Sequence, residues 1–396
     1  MNLIISLLIF LSIFGLIVFA LLFGESPSLR NGFIGKLNHF LTASLPTTIN
    51  WLLQHTIGLK NTARLDRLWA YCCESRNPFL QIFFVGLSSL SIILFLYNAL
   101  PHMPGPYVHK VHVYFIIPVQ IIAIYLVYYL ACTVDPGFLT KENLKQHLDY
   151  YKYDGLIFKS DKICSTCKLQ KPARSKHCSL CKGCIGKMDH HCAWINQCVG
   201  ENNQRYFFYF LFILIEFCTY GAYLSFQIYR GMIIEWGLDQ AFEQDKLTGE
   251  HKRLTFRRAF LYVLHRDRII GAIGILAIVV ATVVFCFTVY QLYLAGRGIT
   301  TNEAFKWEMI EEAIDRGEIY KVVRVPASSS SLSDNNIPSK VTSLNDTYVK
   351  KYHKNVKKND YIKQERKVES FDEIENIYDK GFFNNLKEVF NPPKLV

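Results

Sequence analysis

No glycine-rich phosphate loop and no dinucleotide-binding fingerprint occurs in the 396 residues, which sets aside the common nucleotide-driven chemistries. No unit recurs at a period of roughly 20–50 residues, so repeat architectures are excluded too. Acidic residues are outnumbered, 33 against 44 lysines and arginines, for a formal net charge of +11. The most informative absence is charge itself, which is missing from long stretches of a chain that is 51% hydrophobic and 14% aromatic. Five runs, Asn2–Phe23, Phe79–Leu100, His112–Cys132, Tyr206–Tyr229 and Ile269–Ala295, are near or above the about 20 apolar residues that cross a bilayer core. Only Glu216 breaks them. A carboxylate inside a span is costly, so Glu216 is expected to hydrogen-bond between helices with neighbours such as Tyr220. The first run has no basic segment before it and is longer than a signal-peptide core, so it reads as an uncleaved anchor.

Basic residues in the loops orient these spans. The 24–78 segment carries Arg30, Lys36, Lys60, Arg64, Arg67 and Arg76, and the 133–205 segment is richer still in lysine, whereas the 101–111 turn has only Lys110. Both basic segments are expected in the cytosol. The 230–268 loop is also basic, yet the alternation of five spans puts it in the lumen. The positive charge therefore reads as the cytosolic side of a membrane protein, with the lipid bilayer as partner and no nucleic acid.

Between Cys164 and Cys198 lie seven of the twelve cysteines and three histidines, spaced C-x2-C-x9-H-C-x2-C-x2-C-x4-D-H-H-C-x5-C. Two closed tetrahedral zinc sites would use eight Cys/His ligands. The candidates number ten: Cys164, Cys167, His177, Cys178, Cys181, Cys184, His190, His191, Cys192 and Cys198. A histidine and a cysteine beside an acid are thus left for chemistry, as a thiol activated by an imidazole that a carboxylate orients. Spacing alone does not divide the other eight between two metals. A reducing cytosol suits this cluster, since it keeps thiols available for metal and catalysis.

These residues carry a resemblance. Cys164-Ser-Thr-Cys167, Lys171-Pro-Ala-Arg174, His177-Cys178, Cys181-Lys-Gly-Cys184, Asp189-His-His-Cys192, Cys198, Asn203 and Phe207 are similar to the cysteine-rich domain of the DHHC protein S-acyltransferases. Asp135-Pro-Gly137 before the domain, Thr300-Thr-Asn-Glu303 after the last span, and Asn376 to Gly381 with Asn385 near the C-terminus agree with it. Asp135, Thr300, Thr301, Glu303, Tyr378 and Asn385 are the structural motif residues this implies. Within the family the chain most resembles fungal endoplasmic-reticulum enzymes that acylate SNARE proteins beside their membrane anchors. The resemblance implies two interleaved structural zinc sites, one of Cys164, Cys167, His177 and Cys184 and one of Cys178, Cys181, His191 and Cys198. One departure is Ala193, where the family usually has proline, whose ring would fix φ.

The expected activity is transfer of a long acyl chain from acyl-CoA to Cys192 and then to juxtamembrane cysteines of membrane-anchored proteins, SNAREs among them. His190 would take the thiol proton and Asp189 would orient the imidazole. An acyl chain of about fifteen carbons represents roughly 12 kcal/mol of transfer free energy, so it stays in an apolar cavity. Trp194, Phe207, Phe210 and Phe217 are the candidate lining. The competing class is a catalytically silent, membrane-tethered zinc module, and the two differ at Cys192. The expected fold is an all-α polytopic membrane protein of about five transmembrane helices with a small two-zinc cytosolic domain and a partly disordered tail. Its divisions are 1–132, the membrane region with the first three spans; 133–205, the cysteine-rich domain; 206–295, the last two spans; and 296–396, a cytosolic tail with a Ser/Asn-rich linker, Ala327–Asp346. The site would face the cytosol from the endoplasmic-reticulum membrane.

Overall fold

The structure is a computed structural model that describes residues 29–57, 75–244, 249–326, 347–350 and 361–395, with isolated positions between 13 and 71. Most of the expected first span, Asn2–Phe23, and the linker Ala327–Asp346 lie outside the described residues. Among those residues four helices are long and apolar enough to cross a membrane: Phe79–His102, His112–Thr133, Gln204–Glu235 and Arg268–Gly296.

Helices α1 (Phe33–His39) and α2 (Leu45–Ile57) precede the first of these. The α-helical parts of the spans are α3 (Phe79–Ala99), α4 (Ile117–Thr133), α6 (Gln204–Glu235) and α8 (Arg268–Gly296), with the short α5 (Leu144–Tyr150) between α4 and the cysteine-rich segment. At 32 residues, α6 is about 48 Å long and outruns a hydrocarbon core of about 30 Å. It ends six residues past the expected Tyr229 because Gly231, Met232 and Ile233 remain buried against neighbouring helices.

Helices α6 and α8 pack along each other, and α4 packs on α6. Gly274 allows the close approach, since a Cβ there would stand 2.8 Å from the Ser225 side chain. One apolar cluster, around Leu224, Ile228, Tyr229 and Met232, joins α6 to α7 (Phe256–Arg266) and the start of α8. A second, with Ile124, Phe207, Phe208, Phe210 and Leu211, lies at the opposite end of α6, beside Cys192. Glu216 accepts a hydrogen bond from Gln120 Nε2 at 2.6 Å, so it does bridge helices. The expected neighbour Tyr220 instead pairs with His112 Nδ1 at 2.9 Å.

The cysteine-rich segment has too few apolar residues for a sheet of its own and folds as two antiparallel hairpins. Strand β1 (Lys176–Cys178) pairs β2 (Gly183–Ile185), and β3 (His190–Cys192) pairs β4 (Gln197–Val199). A third hairpin, β5 (Phe242–Gln244) with β6 (His251–Arg253), lies in the 230–268 loop.

The tail is helical where the amphipathic pattern of about 302–318 predicts a helix, and it is more ordered beyond that than its polar composition suggested. Thr300 caps α9 (Thr301–Asp315) with a full capping box to Glu303. Strand β7 (Ile319–Pro326) then pairs on its two sides with β8 (Thr347–Lys350) and β9 (Tyr361–Lys367). Helix α10 (Phe382–Phe390) returns to the membrane helices, where the Phe390 ring lies 5.8 Å from both Phe208 and Tyr209. Its fit depends on Gly296, because a Cβ there would come within 2.3 Å of the Phe382 ring.

Candidate active site and metal clusters

Hairpin register builds the metal clusters. It sets His177 opposite Cys184 in the first hairpin and His191 opposite Cys198 in the second. Each remaining ligand pair comes from a C-x2-C turn: the Cys167 amide donates to Cys164 Sγ and the Cys181 amide to Cys178 Sγ, both at 3.4 Å. Lys168 and Lys182, which follow these turns, have φ of 59° and 55°, left-handed values that reverse the chain after the second thiol.

The ligand atoms of Cys164, Cys167, His177 and Cys184 lie within 4.8 Å of one another, as do those of Cys178, Cys181, His191 and Cys198. These are the interleaved sets. A tetrahedral zinc with Zn–S of about 2.3 Å and Zn–N of about 2.0–2.1 Å has edges of about 3.5–3.8 Å. Here His191 Nδ1 stands 3.7, 3.3 and 3.6 Å from the sulfurs of Cys178, Cys181 and Cys198, and His177 Nδ1 stands 3.3 and 3.8 Å from Cys167 and Cys184. Three thiolates and an imidazole per site suit zinc, whose bound form would contribute folding free energy with no open coordination position. The residues fit the group. Purified protein is expected to hold about two zinc ions, and Cys181→Ser is expected to lose one of them and melt at a lower temperature. Metal analysis checks this, and full zinc content in the variant would contradict it.

Cys192 and His190 belong to neither set. Asp189 Oδ2 accepts from His190 Nδ1 at 2.6 Å, and His190 lies close enough to the Cys192 sulfur for each group to shift the other's titration. Asp189 is buried and held by α9: the Thr301 amide donates to Oδ1 at 2.6 Å, Thr301 Oγ1 donates to Oδ2 at 3.1 Å, and the Asn302 amide donates to the Asp189 carbonyl at 3.1 Å. Burial opposes ionisation of Asp189, but the bonds from His190 and Thr301 outweigh it and lower its pKa. Burial also disfavours the His190 cation, yet Asp189 and Cys192 together push its pKa up to about 10. The Cys192 thiol is lowered despite its burial, by His190 and by the amides of Ile195 and Trp194. Thiolate and imidazolium thus support each other.

Glu303, one turn into α9, forms a bidentate pair with Arg174 at 2.7 and 2.6 Å. The same guanidinium donates to the Gly298 carbonyl at 2.8 Å and lies 4.7 Å from the centre of the Tyr378 ring. Tyr378 OH donates to the Lys152 carbonyl at 2.8 Å. Asn385 Nδ2 donates to the Gly296 carbonyl at 2.8 Å and to Asp379 Oδ1 at 2.6 Å. Asp135 accepts from the amides of Gly137 and Phe138 at 2.6 and 3.0 Å, turning the chain out of α4. Tail, cysteine-rich hairpins and spans are therefore tied together around Asp189. The role of Arg174 was not read from sequence, although its partner stands in a recognised motif.

Buried Lys187 donates to Glu388 Oε1 at 2.9 Å, and Lys380 reaches Oε2 at 2.5 Å. Burial raises the Glu388 pKa, but the two ammonium groups more than reverse this and bring it to about 2. A carboxylate depressed on folding stabilises the folded state above its unfolded pKa and loses that contribution as pH falls through the folded value. The stability gap between wild type and Glu388→Gln is therefore expected to be full above about pH 4.3 and to vanish toward pH 2. Urea unfolding at several pH values checks this.

Phe207, Phe210, Phe217 and Cys192 share one apolar cluster with Phe84 and Phe287, and the Phe207 ring meets His190 edge-on at 5.3 Å. Trp194 is different. It is half-exposed, with its ring 6.5 Å from Phe83 on α3. The turn after Cys192 closes without proline: the Asn196 amide donates to the Ala193 carbonyl at 3.2 Å, and Asn196 takes φ of 52°, which asparagine tolerates well.

Residues 157–308 match the family model described as DHHC palmitoyltransferase. Beyond that segment, the chain is similar to Palmitoyltransferase swf1 of Emericella nidulans, with 30% identity over 95% of this chain and 94% of the relative. Palmitoyltransferase SWF1 of Neurospora crassa is 31% identical over 94% and 89%, and that of Candida albicans is 34% identical over 94% and 95%. Likeness of that extent, centred on the segment that holds Asp189, His190 and Cys192, makes this chain a multi-pass membrane protein of the DHHC palmitoyltransferase family.

Proposed function

We propose that this palmitoyltransferase works in two steps through an acyl-enzyme at Cys192. His190 takes the thiol proton, with its Nδ1–H committed to Asp189, so that Nε2 is the nitrogen able to accept. The Cys192 sulfur then attacks the thioester carbonyl of acyl-CoA. The bond to the CoA sulfur breaks, and the proton passes from His190 to the departing CoA thiolate. In the second step His190 takes the proton of a substrate thiol, whose sulfur attacks the Cys192 thioester, and Cys192 leaves with the proton restored.

The observation that carries this reading is that Cys192 stands outside both Cys3His sets, two residues from a histidine that an aspartate holds at 2.6 Å. Phe207, Phe210 and Phe217 form the wall of the acyl cavity, and Trp194 its rim. The two zincs are structural, holding the hairpins from which Asp189, His190 and Cys192 project. The substrates we infer are membrane-anchored proteins, SNAREs among them, with cysteines next to the bilayer, because a site at the end of α6 reaches only that depth. The reading puts the chemistry on the cytosolic face of the endoplasmic-reticulum membrane, supported by the demand of seven zinc-bound or reactive cysteines for a reducing compartment. Long-chain acyl-CoA should leave a hydroxylamine-labile acyl group on Cys192, which tryptic mapping of the purified protein would locate.

A further inference from the structure

Tyr128 lies on α4 and is 6% exposed. Its ring packs against Phe84 and Phe210, with centres 4.5 and 5.2 Å away, inside the apolar cluster beside Cys192. Its hydroxyl donates to the Trp194 carbonyl at 2.8 Å. That carbonyl belongs to the same peptide unit as the Ile195 amide, three residues past Cys192, the spacing at which the Cys167 and Cys181 amides donate to Cys164 and Cys178 Sγ. Gln81 on α3 grips the next peptide, donating from Nε2 to the Ile195 carbonyl at 3.1 Å and accepting from Asn196 Nδ2 at 3.1 Å. Two membrane helices thus hold, by side chains, the turn that follows the nucleophile.

We propose that Tyr128 is a positioning residue for acyl transfer, its hydroxyl fixing and polarising the 194–195 peptide so that the Ile195 N–H stays aimed at Cys192 Sγ. An amide whose carbonyl accepts a hydrogen bond is a stronger donor at its N–H, because linked bonds polarise one another. A donor fixed before reaction at an atom whose charge changes stabilises the transition state without reorganisation. The inference rests on the acyl-enzyme reading above and adds the part that a membrane helix plays in it.

Tyr128→Phe separates this role from cavity lining, since the ring stays and only the hydroxyl goes. At saturating acyl-CoA, acyl-enzyme formation is expected to slow by about tenfold, well short of the loss on deleting such a donor outright. The KM for acyl-CoA, zinc content and melting temperature should stay near wild type. A rate within twofold of wild type in the zinc-loaded variant would overturn the proposal, as would a change in KM alone. If Tyr128→Phe loses zinc, Gln81→Met is read by the same criteria, because it frees the adjacent peptide while leaving the Tyr128 ring in place. Cys192→Ser in the same assay keeps the two ideas apart: label surviving there refutes the acyl-enzyme, whereas an unslowed Tyr128→Phe refutes only the positioning role.

Discussion

Glu303→Ala is expected to lower stability by about 3–5 kcal/mol, the usual penalty when one member of a buried ion pair is removed. The side chains of Arg174 and Glu303 are 3% and 1% exposed, so water cannot replace the missing carboxylate. The substitution also breaks the capping box of α9, in which Glu303 Oε2 accepts from the Thr300 amide at 2.9 Å. Thr301, the next residue, is the one that holds Asp189. Activity should therefore fall together with stability. Unfolding in detergent micelles measures the first effect. The double change Arg174→Met with Glu303→Leu should be less damaging than Glu303→Ala, because it leaves no uncompensated charge. A Glu303→Ala protein within about 0.5 kcal/mol of wild type, the range of ordinary surface substitutions, would mean that this pair does not hold the tail to the zinc domain.

The residues of the candidate site were legible in the sequence, because cysteines and histidines at short fixed spacings have few structural uses. Ligand arithmetic left a histidine and a cysteine over beside Asp189, but it could not interleave the two zinc sets. That division depends on hairpin register, which places His177 across from Cys184 and His191 across from Cys198, and short strands leave little pattern to read. Charge-free runs marked four helices to within a few residues, apart from the six-residue overrun of α6 past Tyr229. The tail was underestimated. Phe382, Leu386, Val389 and Phe390 recur at helical spacing, a signal that α10 has a packed face, yet they sit in a segment whose overall composition is polar. Strands β7, β8 and β9 are far apart in sequence and rich in charge, so no local pattern joins them. Tyr128 and Gln81 act on carbonyls 66 and 114 residues away. Nothing in their own surroundings announces it.

The most direct test of the account is single-turnover labelling with a long-chain acyl-CoA, followed by mapping of the modified residue. Wild-type protein should carry one hydroxylamine-labile acyl group on Cys192. Cys192→Ser should lose labelling by at least roughly 10⁴-fold, as expected when a nucleophile is removed, and His190→Ala should slow it by about 10²–10⁴-fold through loss of the proton acceptor. Both should keep full zinc content, since neither residue belongs to a metal cluster. A wild-type level of acyl thioester in the Cys192→Ser protein would contradict the account.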